Sequence, residues 1–124
     1  MLVYRDDEVL LVRRHGSHGA GTWSPPGGYL DFGEDPAECA VREAREETDV
    51  EVAPPRFAGA TNDLFDADRK HFVTLWFETQ HLGGEARAAS PRELTEVGWF
   101  ARSDLPTLLF LPFEHFLAGQ VLRA

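Results

Sequence analysis

Three carboxylates on one predicted helix carry the strongest chemical signal in this sequence. Glu43, Glu46 and Glu47 stand three and four residues apart, so they share one helical face. Like charges at these spacings destabilise an isolated helix by about 0.2–0.5 kcal/mol per pair. A divalent cation would offset the repulsion, and hard cations such as Mg²⁺ take oxygen ligands and keep waters that substrate phosphates can replace. The pattern therefore indicates metal-dependent hydrolysis of a phosphoanhydride.

The same segment also has a simpler interpretation, as a solvated charged helix. Arg42 could form ion pairs along the helix with Glu38 and Glu46, and charge runs are usually solvated faces. The residues upstream favour the metal site. Pro25-Pro26-Gly27-Gly28 is a rigid turn that ends in a glycine pair, where backbone can approach a ligand or metal closely. Glu34 stands where a loop entering the helix could reach back to Arg42.

A helix with clear boundaries must position these carboxylates. Asp35 is a predicted N-cap, Pro36 suits the first helical position, and Glu38 can act as the capping acid. We therefore predict a helix over Pro36–Thr48. Small apolar residues recur along it at helical spacing and provide a face suited to packing on a sheet. These residues are Ala37, Ala40, Val41 and Ala44.

The segment from Gly28 to Val50 resembles the signature of the Nudix hydrolases. The residues that match it, at the family's spacings, are Gly28, Glu34, Arg42, Glu43, Glu46 and Glu47. Asp49 stands where the family has glycine, and Asp enters the left-handed backbone region at a cost of about 1 kcal/mol. We expect this difference to weaken the helix end slightly and to leave the carboxylates unaffected. Weaker similarity covers residues 9–105, in Arg13-Arg14, Trp23, Pro26-Gly27-Gly28, and Glu96 before Trp99-Phe100.

The resemblance implies an α/β fold, the Nudix α/β/α sandwich with a mixed β-sheet between helices, formed by one domain over residues 1–124. It implies hydrolysis of a nucleoside diphosphate linked to a group X, with Mg²⁺ or Mn²⁺ as the cofactor. Its implied metal ligands are the Gly28 carbonyl, Glu43, Glu46 and Glu47. Glu34 and Arg42 would hold the loop and the helix in register, and a carboxylate would deprotonate the attacking water.

Four carboxylates remain open as the general base. Glu46 and Glu47 lie on the predicted helix, whereas Glu93 and Glu96 lie in a later segment that could equally be a solvated loop. Family members often carry a glutamate shortly before Trp-Phe, as Glu96 does here. We therefore include Glu96 among the catalytic candidates, with Glu46, Glu47, Arg42 and Glu34.

The substrate class rests on softer features. The run from Trp23 to Glu34, with Glu38-Cys39-Ala40, looks like the small nucleoside triphosphate pyrophosphatases of the family. That likeness implies conversion of a (d)NTP and water to a (d)NMP and diphosphate. Tracts typical of NADH or coenzyme A members are not apparent. The alternatives are hydrolysis of ADP-ribose, an NDP-sugar or a nucleoside diphosphate, or a Nudix-like module that binds a nucleotide without cleaving it. The three preserved carboxylates argue against the last.

Four residues are candidates for contacting the substrate. Arg13 or Arg14 could clamp a phosphate, although a solvated strand end explains them equally well. Tyr29 and Phe72 could stack on a base, whereas most aromatic residues at strand spacing belong to a core.

Composition narrows the partners and the location. The chain has 124 residues and a net charge of −9, which disfavours a nucleic-acid polymer and requires local cations to attract a nucleotide. The lone Cys39 fits a reducing cytoplasm. The sequence shows neither an apolar run of membrane-spanning length nor a signal peptide. The five histidines lack metal-ligand spacing, and there is no P-loop.

Short strands and a second helix complete the predicted fold. The predicted strands cover residues 1–4, 8–12, 23–29 (with a turn), 57–62, 71–78 and 96–100. A C-terminal helix over residues 113–122 would pack through Phe113, Phe116, Leu117 and Val121. The first strand is so short that a partner subunit could complete the sheet there and form a homodimer. The glycine-rich loop at residues 16–21 is predicted to be mobile.

Overall fold

The computed structural model describes residues 1–16 and 18–123, so Ser17 of the predicted mobile loop and the terminal Ala124 lie outside the described residues. The elements, in chain order, are β1 Leu2–Arg5, β2 Glu8–Arg14, β3 Trp23–Ser24, α1 Pro36–Thr48, β4 Glu51–Val52, β5 Arg56–Phe65, β6 Lys70–Gly83, β7 Leu94–Ala101 and α2 Leu111–Leu117. Within the described ranges, neither helix has the length and apolar character needed to cross a bilayer.

The seven strands form one mixed sheet in which β1 is an interior strand. It runs antiparallel to β2, with Tyr4 opposite Val9, and parallel to β6, with Leu2 opposite Glu78. β2 also pairs with β3 and β7, and β6 also pairs with β4 and β5. The idea that a partner subunit completes the sheet at the first strand is therefore wrong, because both edges of β1 are paired. The homodimer stays a prediction without that argument.

Alternate residues of the central strands enter two separate cores. On one face of the sheet, Val3 and Leu10 pack with Ala44 of α1. On the other face, Leu11 packs with Phe113 of α2. Successive side chains of a strand point to opposite faces, so the neighbours Leu10 and Leu11 reach different helices. The sheet thus lies between α1 and α2, as the predicted α/β/α sandwich requires.

Helix α1 begins and ends where the sequence predicts. The Asp35 side chain accepts a hydrogen bond from the Ala37 N–H at 3.0 Å, and Pro36 is the first helical residue. Asp49 adopts the left-handed conformation (φ 65°), and its N–H donates to the Arg45 carbonyl at 2.8 Å. The Asp49 carboxylate also accepts from Arg87 Nε at 3.0 Å. Aspartate therefore ends the helix at the position where the family has glycine.

The strand predicted over residues 23–29 is too long. β3 ends at Ser24, because the following Pro25 and Pro26 have no N–H to donate to a neighbouring strand. The later strands are longer than predicted, since β5 and β6 form a ribbon whose pairing runs from Arg56 opposite Glu78 to Phe65 opposite Lys70.

The C-terminal helix is shorter than predicted. It covers Leu111–Leu117 instead of residues 113–122, and Gly119 with φ 73° turns the chain back toward β5. Val121 then forms an antiparallel bridge with Thr61. Phe113 is buried in the α2-side core as expected, whereas Leu117 is exposed. The apolar Val121 therefore packs from an extended segment and not from a helix.

Candidate active site

Three carboxylates converge at the end of α1 that leads into Thr48. Glu43 and Glu47 come from the helix and are buried, and Glu93 comes from the turn before β7 and is exposed. One oxygen from each residue lies within 4.8 Å of the others. Carboxylate oxygens at this spacing are ligands that Mg²⁺ and Mn²⁺ favour.

The glycine loop lies directly against these carboxylates. A β-carbon on Gly28 would stand 2.5 Å from Glu43 Cδ and 2.6 Å from both of its carboxylate oxygens. The adjacent Gly27 N–H donates to Glu47 Oε1 at 3.1 Å. The predicted closeness of the glycine turn to Glu43 and Glu47 is therefore present in the fold.

The electrostatics of the group also fit a bound cation. Burial raises the pKa of Glu47 from 4.5 to about 8, and the charges of Glu43 and Glu93 add to that effect. Burial likewise raises the pKa of Glu43, although Arg42 opposes the change. Buried carboxylates of this kind are unstable as anions unless a cation compensates them. The oxygen donors, the cradle beside Gly28 and these pKa shifts all agree with a divalent metal ion.

Arg42 connects the loop, the helix and the carboxylate group. Its Nε and Nη2 atoms donate to the two oxygens of Glu34 at 2.8 and 3.0 Å, a bidentate pair. Its Nη1 donates to Glu43 Oε1 at 2.8 Å and to Glu46 Oε2 at 3.2 Å. The hydrogen bonds from Arg42 lower the pKa of Glu34 to about 2. The structure thus brings Glu34 and Arg42 together as the sequence predicts, and extends the contact to Glu43.

Glu46 and Glu96 lie outside the carboxylate group formed by Glu43, Glu47 and Glu93. Glu46 is exposed and faces Arg42. Glu96 accepts from Arg13 Nη1 at 3.0 Å, and the two residues are cross-strand partners. Arg13 alternates with Leu11, which packs toward α2, so this pair lies on the sheet face opposite α1.

The sequence predicts Glu93 as a candidate base and not as a metal ligand. Its position depends on the backbone bond from the His15 N–H to the Glu93 carbonyl at 2.8 Å, which ties the turn to the end of β2. The Glu93 N–H also donates to the Ser90 carbonyl at 2.9 Å and closes that turn. In the local sequence, Glu93 is marked only by its position three residues before Glu96. That spacing does not indicate which of the two glutamates lies beside Glu43 and Glu47.

Arg14, Tyr29 and Phe72 are further residues predicted to contact the substrate. The Arg14 guanidinium stacks on Phe110, with Cζ 3.9 Å from the ring centroid, and its Nε donates to the His18 carbonyl at 3.1 Å. Burial lowers the pKa of Arg14, and the nearby charge of Glu47 opposes that shift. The Tyr29 ring is exposed and lies 6.0 Å from the ring of Phe72, centroid to centroid.

Comparison with known proteins agrees with the fold. The NUDIX domain family model matches residues 1–121, and the chain belongs to the Nudix hydrolase family. It is 34% identical over 108 residues to the NAD-capped RNA hydrolase NudC of Stutzerimonas stutzeri (strain A1501), a match that covers 87% of this chain. The chain spans only 37% of the length of that relative.

Two solved structures are similar to this fold. The structure of the MutT NUDIX hydrolase from Burkholderia pseudomallei superposes with a TM-score of 0.85 at 27% identity, covering 98% of this chain and 93% of that one. An ADP-ribose pyrophosphatase from Streptococcus suis 89-1591 gives a TM-score of 0.69 at 27% identity, covering 90% of this chain and 77% of that one.

Proposed function

We propose that this chain hydrolyses a nucleoside diphosphate linked to a group X by cleaving a phosphoanhydride bond. The observation that carries the proposal is the carboxylate group of Glu43, Glu47 and Glu93 beside Gly28. Glu43 and Glu47, with the Gly28 carbonyl, would hold Mg²⁺ or Mn²⁺, and Glu93 adds a third carboxylate to the same site. Such an ion, when bound, activates water as a nucleophile and offsets negative charge on phosphoryl oxygens.

Glu93 is the best-supported general base. Glu43 and Glu47 are buried on a rigid helix and are suited to ligation, whereas Glu93 is exposed on a turn and can accept a proton from water. Glu96 is less suitable because it pairs with Arg13 on the opposite face of the sheet. The predicted metal role of Glu46 has weaker support, since its carboxylate faces Arg42.

Arg42 and Arg14 have distinct parts in this proposal. Arg42 fixes the Glu43 carboxylate and the loop at Glu34, so it orients ligands without touching the reacting atoms. The positive charge of Arg14 lies close enough to Glu47 and Glu93 for both carboxylates to affect the pKa of Arg14. A guanidinium there could bind a substrate phosphate with two parallel hydrogen bonds. It would also attract a nucleotide to a chain whose net charge is −9.

The preferred reaction is conversion of a (d)NTP and water to a (d)NMP and diphosphate. The similarity to a protein named MutT across nearly the full length of both chains supports it. The similarity to an ADP-ribose pyrophosphatase supports the second candidate, hydrolysis of ADP-ribose or an NDP-sugar. A net charge of −9 argues against binding along an RNA backbone, so we do not extend the RNA substrate of the NudC relatives to this chain. We further propose a single domain that acts in the cytoplasm.

A hydrolysis panel tests the proposal. The protein is incubated with Mg²⁺ or Mn²⁺ and with dNTPs, NTPs, NDPs, ADP-ribose or NDP-sugars, and released NMP is measured. Glu43→Gln and Glu47→Gln should abolish release, whereas Glu38→Gln, an exposed change on the same helix, should not. Hydrolysis in ¹⁸O-labelled water locates the attacked phosphorus. Absence of cleavage across the panel, or cleavage that persists in EDTA, would refute the proposal.

A further inference from the structure

Residues 84–93, which connect β6 to β7, are attached to the last turn of α1. They form neither a helix nor a strand. The Arg87 N–H donates to the Thr48 carbonyl at 3.0 Å, and the Ala89 N–H donates to the Glu47 carbonyl at 2.9 Å. The last carbonyls of a helix have no partner within the helix, so these two bonds dock the 84–93 segment on the end of α1.

Asp49 and Arg87 add an ion pair at the same place. The Asp49 carboxylate accepts a hydrogen bond from Arg87 Nε at 3.0 Å. Asp49 occupies the left-handed position that ends the helix, where φ is 65°. Glycine enters this conformation at a lower cost, but it has no side chain that could pair with Arg87. The aspartate that departs from the family signature therefore makes a contact that the glycine of the signature cannot make.

Packing and strand pairing fix the two ends of the 84–93 segment. An added β-carbon on Gly84 would stand 2.6 Å from the Asp49 carbonyl oxygen, so the two backbones are in contact there. Ala86 packs against the core on the α1 side of the sheet. At the other end, Leu94 is buried and begins β7, which pairs with β2. The ion pair acts on the residues between these two fixed ends.

Glu93 lies at the far end of the 84–93 segment. Its N–H donates to the Ser90 carbonyl at 2.9 Å, and its carboxylate Oε2 accepts from Ser90 Oγ at 3.1 Å. Ser90 directly follows Ala89, whose N–H donates to the Glu47 carbonyl. A continuous series of contacts therefore connects the end of α1, through Ala89 and Ser90, to the carboxylate of Glu93.

We propose that Asp49 and Arg87 are positioning residues that hold the 84–93 segment on α1 and keep the Glu93 carboxylate in the active site. The inference rests on the proposed function, in which Glu93 is the general base. A general base must lie within hydrogen-bonding reach of the water that it deprotonates, so a segment that moves away from the helix end takes the base out of reach. Both side chains of the pair are exposed, and such a pair changes an equilibrium by about fivefold at most. The effect on turnover should be of that size.

The kinetics of single and double variants test this role. Arg87→Gln and Asp49→Asn should each lower kcat about three- to fivefold and leave KM within about twofold, whereas Arg87→Lys should retain most of the activity. In a Glu93→Gln background, Arg87→Gln should cause no further decrease, because the base that it positions is already absent. Asp49→Gly should lower kcat like Asp49→Asn without lowering the melting temperature, since glycine relieves the cost of the left-handed backbone.

Arg45→Gln provides the matched control. Arg45 pairs with Glu51 at 2.6 Å, and the two side chains are exposed to nearly the same extent as those of Arg87 and Asp49. The change removes one positive charge from an exposed ion pair on α1 and leaves the contacts of the 84–93 segment in place. Its kcat should therefore equal that of the wild type.

Hydrogen exchange measures the attachment of the segment without turnover. The amides of residues 85–90 should exchange about three- to fivefold faster in Arg87→Gln and Asp49→Asn than in the wild type, and Arg45→Gln should show no change. Three results would overturn the inference: unchanged exchange in the segment, wild-type kcat in Arg87→Gln, or the same fractional decrease in kcat with and without Glu93. A protein that hydrolyses nothing on the substrate panel would refute the proposed reaction, and exchange would still decide whether the pair holds the segment.

Discussion

Gly28 and Glu43 lie so close together that position 28 has no room for a side chain. A β-carbon there would stand 2.5 Å from Glu43 Cδ, well inside van der Waals contact. The obstacle is the far end of a flexible side chain, so the protein could relieve the clash by moving the Glu43 carboxylate. Adding a methyl group at position 28 should therefore affect catalysis more than folding, because the displaced carboxylate is a proposed metal ligand.

Gly28→Ala should impair catalysis much more than stability. We expect kcat/KM to fall on the order of 100-fold, since displacement of catalytic groups by about 1 Å has such effects, while the melting temperature changes by a few degrees. Gly27→Ala is the matched control, because a β-carbon on Gly27 would meet no heavy atom within 4 Å among the described residues. Equal activities for the two variants would show that the closeness to Glu43 does not matter.

Arg42→Lys should reduce turnover because an ammonium cannot reproduce the two parallel bonds to Glu34 while also holding Glu43. The expected decrease in kcat is about 10- to 100-fold, with little change in melting temperature. Arg45→Lys, on the same helix, serves as control, since Arg45 is exposed and pairs only peripherally with Glu51 at 2.6 Å. A fully active Arg42→Lys enzyme would exclude a role for the bidentate contact.

Glu93→Gln and Glu96→Gln should differ sharply, although the residues are three positions apart. Glu93 shares the carboxylate group and Glu96 pairs with Arg13. Loss of a general base typically lowers kcat about 10²–10⁴-fold, so we expect a decrease of that order for Glu93→Gln. Glu96→Gln should remain within a few-fold of wild type. If instead the Glu96 variant were the inactive one, the base would have to act from the other face of the sheet.

The metal-free protein should become less stable as the pH rises, because of Glu47. Burial raises the pKa of this carboxyl from 4.5 to about 8, so the folded protein retains a proton that the unfolded chain releases above about pH 4.5. We expect the melting temperature in EDTA to fall between about pH 5 and pH 8. Glu47→Gln should flatten this dependence. A wild-type melting temperature that rises over the same range would contradict the buried environment of Glu47.

Mg²⁺ should stabilise the protein more at pH 8 than at pH 6, because ligating carboxylates must be ionised. Thermal shifts on adding Mg²⁺ at the two pH values measure this difference. An Mg²⁺ shift that is equal at both pH values would argue against carboxylate ligation.

Glu34 should affect stability only at acidic pH. The hydrogen bonds from Arg42 lower its pKa to about 2, so its contribution to stability is lost only as the pH falls from about 4.5 toward 2.

Local signals explain why α1 could be predicted to the residue. Asp35, Pro36 and Asp49 each act on the backbone within one turn of the helix, and the Glu34–Arg42 contact spans only the loop that enters it. The environment of Glu93, in contrast, is set by contacts between distant parts of the chain. It depends on the pairing of β2 with β7, two strands separated by most of the chain, and no local periodicity reports which residues such a pairing brings together.

The prediction of a C-terminal helix over residues 113–122 was wrong for a related reason. Phe113, Phe116 and Val121 are apolar at helical spacing, so a continuous helix was the local expectation. The structure instead ends the helix at Leu117 and places Val121 beside Gly59, where an added β-carbon would approach Val121 Cγ1 to 3.4 Å. The packing partner is 62 residues away in the sequence. A tertiary contact of that kind overrides helical spacing, and the sequence pattern cannot reveal it.

The interior position of β1 has a consequence for how the chain folds. Leu2 pairs with Glu78, and Glu8 pairs with Ala101, so β1 and β2 gain all their partners only after β6 and β7 have been synthesised. The β1–β2 hairpin can form early, but two strands alone are only marginally stable in water. We therefore expect the closure of long loops to slow folding relative to helical proteins of similar size. Until β6 and β7 emerge, the apolar residues of the hairpin remain accessible to chaperones.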